Sequence, residues 1–144
     1  VRDWLFVEDH CRALELLLER GIAGRTYNIG ADEERRNIDV VHAICDCLDR
    51  LAPARHNPSA GVESYRQLVS FVEDRPGHDL RYAVDAARIR EELGWAPRLG
   101  FEGGVERTVR WYLGNRAWVE SVTSGEYGAW IERCYAARLA PGGG

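Results

Sequence analysis

Asp74-Arg75-Pro76-Gly77-His78-Asp79 is the stretch on which the reading of this chain turns. It lies between two apolar runs, Leu68-Val69-Ser70-Phe71-Val72 before it and Leu80-Arg81-Tyr82-Ala83-Val84 after it. Proline fixes φ and glycine frees it, so Pro76-Gly77 predicts a tight turn rather than a strand. The turn sets a guanidinium on one side and an imidazole on the other. Arg presents a planar fork of donors suited to paired phosphate oxygens, and His adds a group that titrates near neutrality. Two readings follow: an anion-binding turn, or a surface turn whose Asp74 and Arg75 pair with neighbours. The residues alone leave both open.

Outward from this turn the pattern is mixed α/β. Arg2 to Val7 reads as a short extended stretch entering a helix, with Glu8 and Asp9 in the first turn, where negative charge suits the helix dipole. The stripe Cys11, Leu14, Leu17 and Leu18 follows at helical spacing and Gly21 ends it. Arg25 to Ile29 predicts a buried strand closed by Gly30. The polar run 31–36 is a loop, and Asn37 is placed to cap a helix through Leu51 whose inner face carries Ile38, Val41, Cys45 and Leu48. Ala52 to Gly61 predicts a surface loop. After the central turn, Asp85 caps a helix from Ala86 to Leu93, stopped by Gly94 and Pro97. The last third is helical: Gly103 to Asn115, a continuing apolar face at Trp118, Val119 and Val122, and a terminal helix from Tyr127 to Tyr135. Most of the five Trp residues are expected in the core.

The 144 residues suffice for one domain with a real core. A net charge of −4, with no basic stripe, argues against nucleic acid. No apolar run reaches bilayer length and no leader is visible, so a soluble, cytoplasmic protein is expected. The chain opens on Val1 directly in an apolar phrase, as if cut from something longer, and 141–144 reads as a flexible tail. Of the four cysteines, Cys11, Cys45 and Cys134 occupy apolar helical positions. Cys45 and Cys47 fall on nearly opposite faces of one helix, so no metal site is expected. There is no glycine-rich phosphate fingerprint, nucleophile elbow or Tyr-x-x-x-Lys pair. The residues predict no catalytic group, and by themselves give an α/β domain with a candidate anion-binding turn.

Several phrases together resemble the dTDP-glucose 4,6-dehydratase family, nucleotide-sugar dehydratases among the extended short-chain dehydrogenase/reductases. They are Arg2-Asp3-Trp4-Leu5-Phe6-Val7-Glu8-Asp9-His10, Thr26-Tyr27-Asn28-Ile29-Gly30, Asn37-Ile38-Asp39-Val40-Val41, Asp74 to Tyr82, Leu93-Gly94-Trp95 and Thr108 to Leu113. The first two and the last two recur across extended reductases; Asp74 to Tyr82, with Asn37 and Trp130-Ile131, narrows the match. The resemblance implies an α/β fold forming the C-terminal, substrate-binding part of an extended Rossmann-type reductase, with the last elements of the parallel sheet and a mostly helical small domain. Residues 1–30 would complete the NAD-binding domain, 31–140 would bind the nucleotide sugar, and 141–144 would be the tail.

By motif position, Arg2 resembles a pyrophosphate-binding Arg and Asn37 a polar substrate contact. Asp74, Arg75 and His78 belong to the segment supplying a second phosphate-facing Arg, and Tyr135 resembles a Tyr that closes over the nucleotide. The resemblance further implies NAD as cofactor, held with the catalytic residues by an upstream domain, a dTDP-sugar substrate, a homodimeric parent, and a fragment inactive by itself. The implied reaction takes dTDP-glucose to the 4-keto-6-deoxy sugar plus water, in deoxysugar pathways such as that to rhamnose. Another nucleotide-sugar epimerase or decarboxylase, and a non-catalytic phosphate-binding module, are the alternatives. Arg2 could instead pair with Asp3 or Asp9, and His78 could simply buttress its turn.

Overall fold

The computed structural model describes residues 1–74, 76–123, 125 and 128–129. They fall into two compact units, 1–109 and 110–144.

The first unit is built on helices α1 (Val7–Arg20), α2 (Asn37–Leu51) and α3 (Ala87–Leu93), with the opening turns of α4 (Phe101–Gly114). Its core gathers Ala13 of α1, Ala86, Ile89 and Leu93 at α3, and Trp95, with Leu5, Leu16, Leu17, Tyr27 and Ile29 packed around them. Alanines at 13 and 86 let α1 and α3 approach closely, and Ile89 fills the contact completely buried. Burying a side chain of that size contributes about 2–3 kcal/mol. α3 stops at Gly94, whose φ of +69° lies in the left-handed region. Asp85, one residue outside the Ala86 N-cap, takes the Ala87 N–H at 2.8 Å.

The sheet is small. Strands β1 (Arg2–Asp3) and β2 (Glu34–Arg35) pair antiparallel, with Arg2 opposite Arg35 and Asp3 opposite Glu34. On its other side Arg2 forms a single parallel bridge with Tyr82. The segment expected as a strand, 25–29, carries no ladder among the described residues. It is fastened by side chains instead: Tyr27 Oη donates to Glu92 Oε2 at 2.7 Å, Arg25 pairs with Glu92, and Arg88 Nη1 donates to the Thr26 carbonyl at 2.9 Å. A strand-like composition makes a strand only where a neighbouring chain offers hydrogen bonds.

Other faces also differ from expectation. On α1 the buried positions are Asp9 and Ala13, while Cys11 is exposed, Leu14 is half-exposed and Leu18 is 90% exposed. The inner face is therefore rotated by about one residue, roughly 100°, from the predicted stripe. On α2 both Cys45 and Cys47 are buried, so the helix is covered on two sides. Burial, followed by the nearby Asp46 and Asp49 carboxylates, pushes the Cys45 thiol up. The loop after α2 holds two short 3₁₀ turns, Ala54–His56 and Tyr65–Leu68. The apolar runs around the central turn are exposed: Phe71, Val72 and Leu80 all face solvent.

In the second unit, α5 (Arg116–Thr123) follows the end of α4. Trp111, Tyr112 and Trp118 meet edge to face, with ring centroids 5.0–6.2 Å apart. Trp95 is buried as expected, but Trp4, Trp111 and Trp118 are each more than a third exposed, because these rings pack by one face only. The predicted terminal helix and Cys134 lie largely outside the described residues. No described helix is long and apolar enough to cross a membrane.

Candidate anion-binding site

β1 brings Arg2 between two segments far away in sequence. Tyr82 N–H donates to the Val1 carbonyl at 2.9 Å, and Asp3 N–H donates to the Tyr82 carbonyl at 3.2 Å. This clamp lays the segment after the Pro76-Gly77 turn alongside Arg2. The turn forms as expected, with Gly77 at φ +72°, a backbone state that demands glycine.

Three of the half-buried Arg2 N–H groups are taken by neutral acceptors. Nη1 donates to the Val1 carbonyl at 2.8 Å, and Nη2 to the Asp79 carbonyl at 2.9 Å and His78 Nε2 at 2.6 Å. The far side of the His78 ring bonds through Nδ1 to Asp74 Oδ1 at 2.8 Å. Of the sequence-predicted residues, the structure thus joins Arg2, His78 and Asp74 in one chain of hydrogen bonds. Arg75 and Tyr135 lie outside the described residues.

Asn37 stands two residues beyond Arg35, the register partner of Arg2, at the same end of the sheet. It is the first residue of α2 and not its cap: the N-cap is Arg36, whose side chain makes no capping bond. Arg36 reaches forward to hold Asp39 through Nε and Nη2, both at 2.7 Å, and this keeps the Asp39 carboxyl below its ordinary range.

Neither carboxylate that could have quenched Arg2 does so. Asp3 accepts the Ala31 and Glu33 amides, both at 3.0 Å. Asp9 is occupied by Arg12 and by the amides of Arg98 and Leu99. Among the described residues no carboxylate forms an ion pair with Arg2, whereas Arg35 has Glu33, Arg81 has Glu34 and Arg36 has Asp39. The charge of Arg2 is left over, beside a small cleft of about 160 Å³ bounded by Arg2, Asp3, Leu5, Gly30, Tyr82 and Val84. A Cβ at Gly30 would stand 2.4 Å from Asp3 Oδ2 and 2.9 Å from Val84 Cγ2, so the floor of the cleft admits only glycine.

Sequence reasoning missed the buttresses of this site: Asp3, the Asp79 carbonyl and the Arg81–Glu34 pair. One signal was present for Asp3, since a polar loop after Gly30 leaves amides that need acceptors. Electrostatically the site is a cation on a rigid strand flanked by a titratable ring, a donor set matched to an oxyanion. No group of three or more metal-ligating side chains occurs among the described residues.

Known proteins resemble this chain over most of its length. The chain is 53% identical over 138 residues to dTDP-glucose 4,6-dehydratase of Escherichia coli, covering 96% of this chain and 36% of that protein. Against the dTDP-glucose 4,6-dehydratase of Neisseria meningitidis serogroup B it is 54% identical over 127 residues, covering 88% of this chain and 35% of the relative. The chain therefore spans about a third of the length of these relatives. Among solved structures it is similar to the dTDP-glucose 4,6-dehydratase of Streptomyces venezuelae with NAD bound (TM-score 0.66, 39% identity, 81% of this chain and 32% of that one). The Bacillus anthracis dTDP-glucose 4,6-dehydratase, also in complex with NAD, gives a TM-score of 0.63 at 36% identity, again over 81% of this chain and 32% of that one. The α/β class expected from the sequence is the class observed, as a mostly helical piece with a small sheet. The family model described as GDP-mannose 4,6 dehydratase matches residues 1–108, and the chain belongs to that family.

Proposed function

We propose that this chain is the substrate-binding portion of a dTDP-glucose 4,6-dehydratase, an NAD-dependent enzyme that converts dTDP-glucose to dTDP-4-keto-6-deoxyglucose and water. Its part is to hold the sugar diphosphate. The observation that carries the reading is the uncompensated Arg2 guanidinium, fixed by two main-chain carbonyls and His78 and facing no carboxylate among the described residues. A guanidinium bonded to a phosphate oxygen makes a charge-assisted bond about twice as strong as a neutral one. Such anchoring orients the hexose for chemistry elsewhere in the enzyme. Arg75, Asn37 and Tyr135 are assigned to the same clamp on motif position, and Asp74 and His78 to its support.

The residues here do not fit NAD. The described strands are two residues long and antiparallel, and no glycine-rich strand–turn–helix is present. The cofactor and the catalytic groups are therefore placed in polypeptide outside these residues, and no chemical step is assigned to this chain. The parent enzyme is read as a cytoplasmic homodimer whose subunit contacts lie mostly outside this segment.

Thermal-shift titration of the chain with dTDP-glucose, dTDP and UDP tests the proposal. All three diphosphate ligands should raise the melting temperature, and Arg2→Ala should weaken their binding by about tenfold or more, the loss of one charge-assisted contact. No response to any of the three ligands, or an unaffected Arg2→Ala variant, would count against it. The chain alone should release no 4-keto product.

A further inference from the structure

Resting on the reading of Arg2 as a diphosphate anchor, we propose that Asp3 is a positioning residue of that site. It locks the strand register in which Arg2 faces Arg35 and not Glu34, and so keeps the Arg2 guanidinium for the ligand.

The lock is a clasp on one turn. The two carboxylate oxygens of Asp3 accept the amides of Ala31 and Glu33, each at 3.0 Å. Between those amides stands Asp32 at φ +59°, the one described non-glycine residue in the left-handed region. A side chain disfavours that backbone state, so the turn keeps its shape only where neighbouring bonds hold it. Asp3 supplies two such bonds, and an ion pair with Arg90 ties the Asp32 side chain to α3. The Trp4 N–H donates to the Glu33 carbonyl at 3.2 Å, so the clasp leads directly into the β1–β2 ladder.

Register decides what Arg2 meets. Residues directly opposite one another share a face, and a slip of one residue exchanges the faces. In the observed register the direct cross-strand neighbour of Arg2 is the cation Arg35. Slipped by one residue, Arg2 would face Glu34 and Asp3 would face Glu33. The first contact would neutralise the guanidinium. The second would set two carboxylates together, so Asp3 resists the slip by charge as well as by its bonds. Like charges are also opposed in the observed register, and there Arg35 is compensated: it pairs with Glu33 at 2.8 Å and lies over the Phe101 ring at 5.3 Å. Glu34 pairs with Arg81 at 2.7 Å, and the Val1 ammonium donates to the Leu80 carbonyl at 2.6 Å. The clasp thus decides which guanidinium of the sheet stands without a carboxylate among the described residues.

The test is isothermal titration of the chain with dTDP, at a temperature where circular dichroism shows each variant folded. Asp3→Asn keeps the shape but turns an N–H₂ group toward one of the two amides, and it should weaken binding about tenfold. Adding Glu34→Gln should recover most of that loss, and more than Glu34→Gln adds to the wild type, because an uncharged side chain opposite Arg2 leaves it cationic. A merely structural role for Asp3 would give no such recovery. Wild-type affinity in Asp3→Asn, or a loss that Glu34→Gln does not repair, overturns the positioning role and leaves the diphosphate site standing, provided Arg2→Ala still loses affinity. Wild-type affinity in Arg2→Ala removes the site and the role together. Should Asp3→Asn not fold, Asp32→Gly decides. Glycine takes the left-handed state unaided and the clasp remains, so affinity should stay within about twofold. A loss of about tenfold would place control in the Asp32–Arg90 pair and overturn the role of Asp3.

Discussion

Asp9 fastens two distant segments with one buried carboxylate. Its oxygens accept the amides of Arg98 and Leu99, each at 3.0 Å, and meet the Arg12 guanidinium one turn along α1, while only 2% of the residue is exposed. The amides it holds lead directly into α4, so this side chain fixes where α4 begins. Asp9→Asn keeps the shape but removes the charge and turns an N–H₂ group toward other donors. It should cost about 3 kcal/mol in urea unfolding, in the range for a broken buried pair. A loss under about 1 kcal/mol would mean that the carboxylate is not the latch. From sequence, Asp9 is legible only as a first-turn acid favouring the helix dipole. Its burial depends on a loop some ninety residues on, which no local pattern announces.

Among the elements, the short 3₁₀ turn after α2 is the best example of local chemistry holding a loop. Ser64 accepts the Arg66 amide at 3.2 Å and donates to Asp49 Oδ2 at 2.6 Å, while Gln67 Oε1 accepts the Glu63 amide at 2.9 Å. Arg66 then pairs with Asp46 of α2. The reciprocal Ser–Gln bonds form a capping box, and Ser64→Ala should cost about 1 kcal/mol. The Ser64 hydroxyl, ahead of the Tyr65 amide, holds the Asp49 carboxyl below the ordinary carboxylate range. A carboxyl depressed in the folded state lends stability above its unfolded pKa of about 3.9. That stability is lost as pH falls through the lower folded value. Ser64→Ala should bring the folded Asp49 value back toward the unfolded one and narrow this window from below, so urea unfolding followed from about pH 5 down to about 2.5 should show the variant losing less with acid than the wild type does. This box was readable in Ser64-x-x-Gln67, yet a loop reading of the Pro-containing stretch before it passed over the signal.

For the molecule as a whole, the uncovered apolar surface is the notable property. Phe71, Val72, Leu80 and Leu18 are each at least 86% exposed, and Leu68 and Tyr82 more than half. Four of these, Phe71, Val72, Leu80 and Tyr82, flank the same turn that carries His78. Large uncovered apolar surface drives association, so the chain should sediment with a concentration-dependent increase in mass. The double variant Phe71→Ser, Leu80→Ser should shift it toward monomer. A wild-type preparation that stays monomeric at high concentration would contradict this.

The sequence by itself determined what depends on neighbours along the chain. Helices α1 to α4 follow from apolar spacing, the stop at Gly94 and the Pro76-Gly77 turn from backbone freedom, and a candidate anion-binding turn from Asp74, Arg75 and His78 beside it. Tertiary structure decided what depends on partners across space. It rotated the inner face of α1 onto Asp9 and Ala13, withheld a ladder from 25–29, and left the runs beside the turn in solvent. It also set Arg2 between Arg35 and Tyr82, spent nearby carboxylates on loop amides, and so left Arg2 without a carboxylate partner among the described residues. Local propensity fixes which torsions are cheap; only packing fixes which side chains lose water and which charges find a counter-ion.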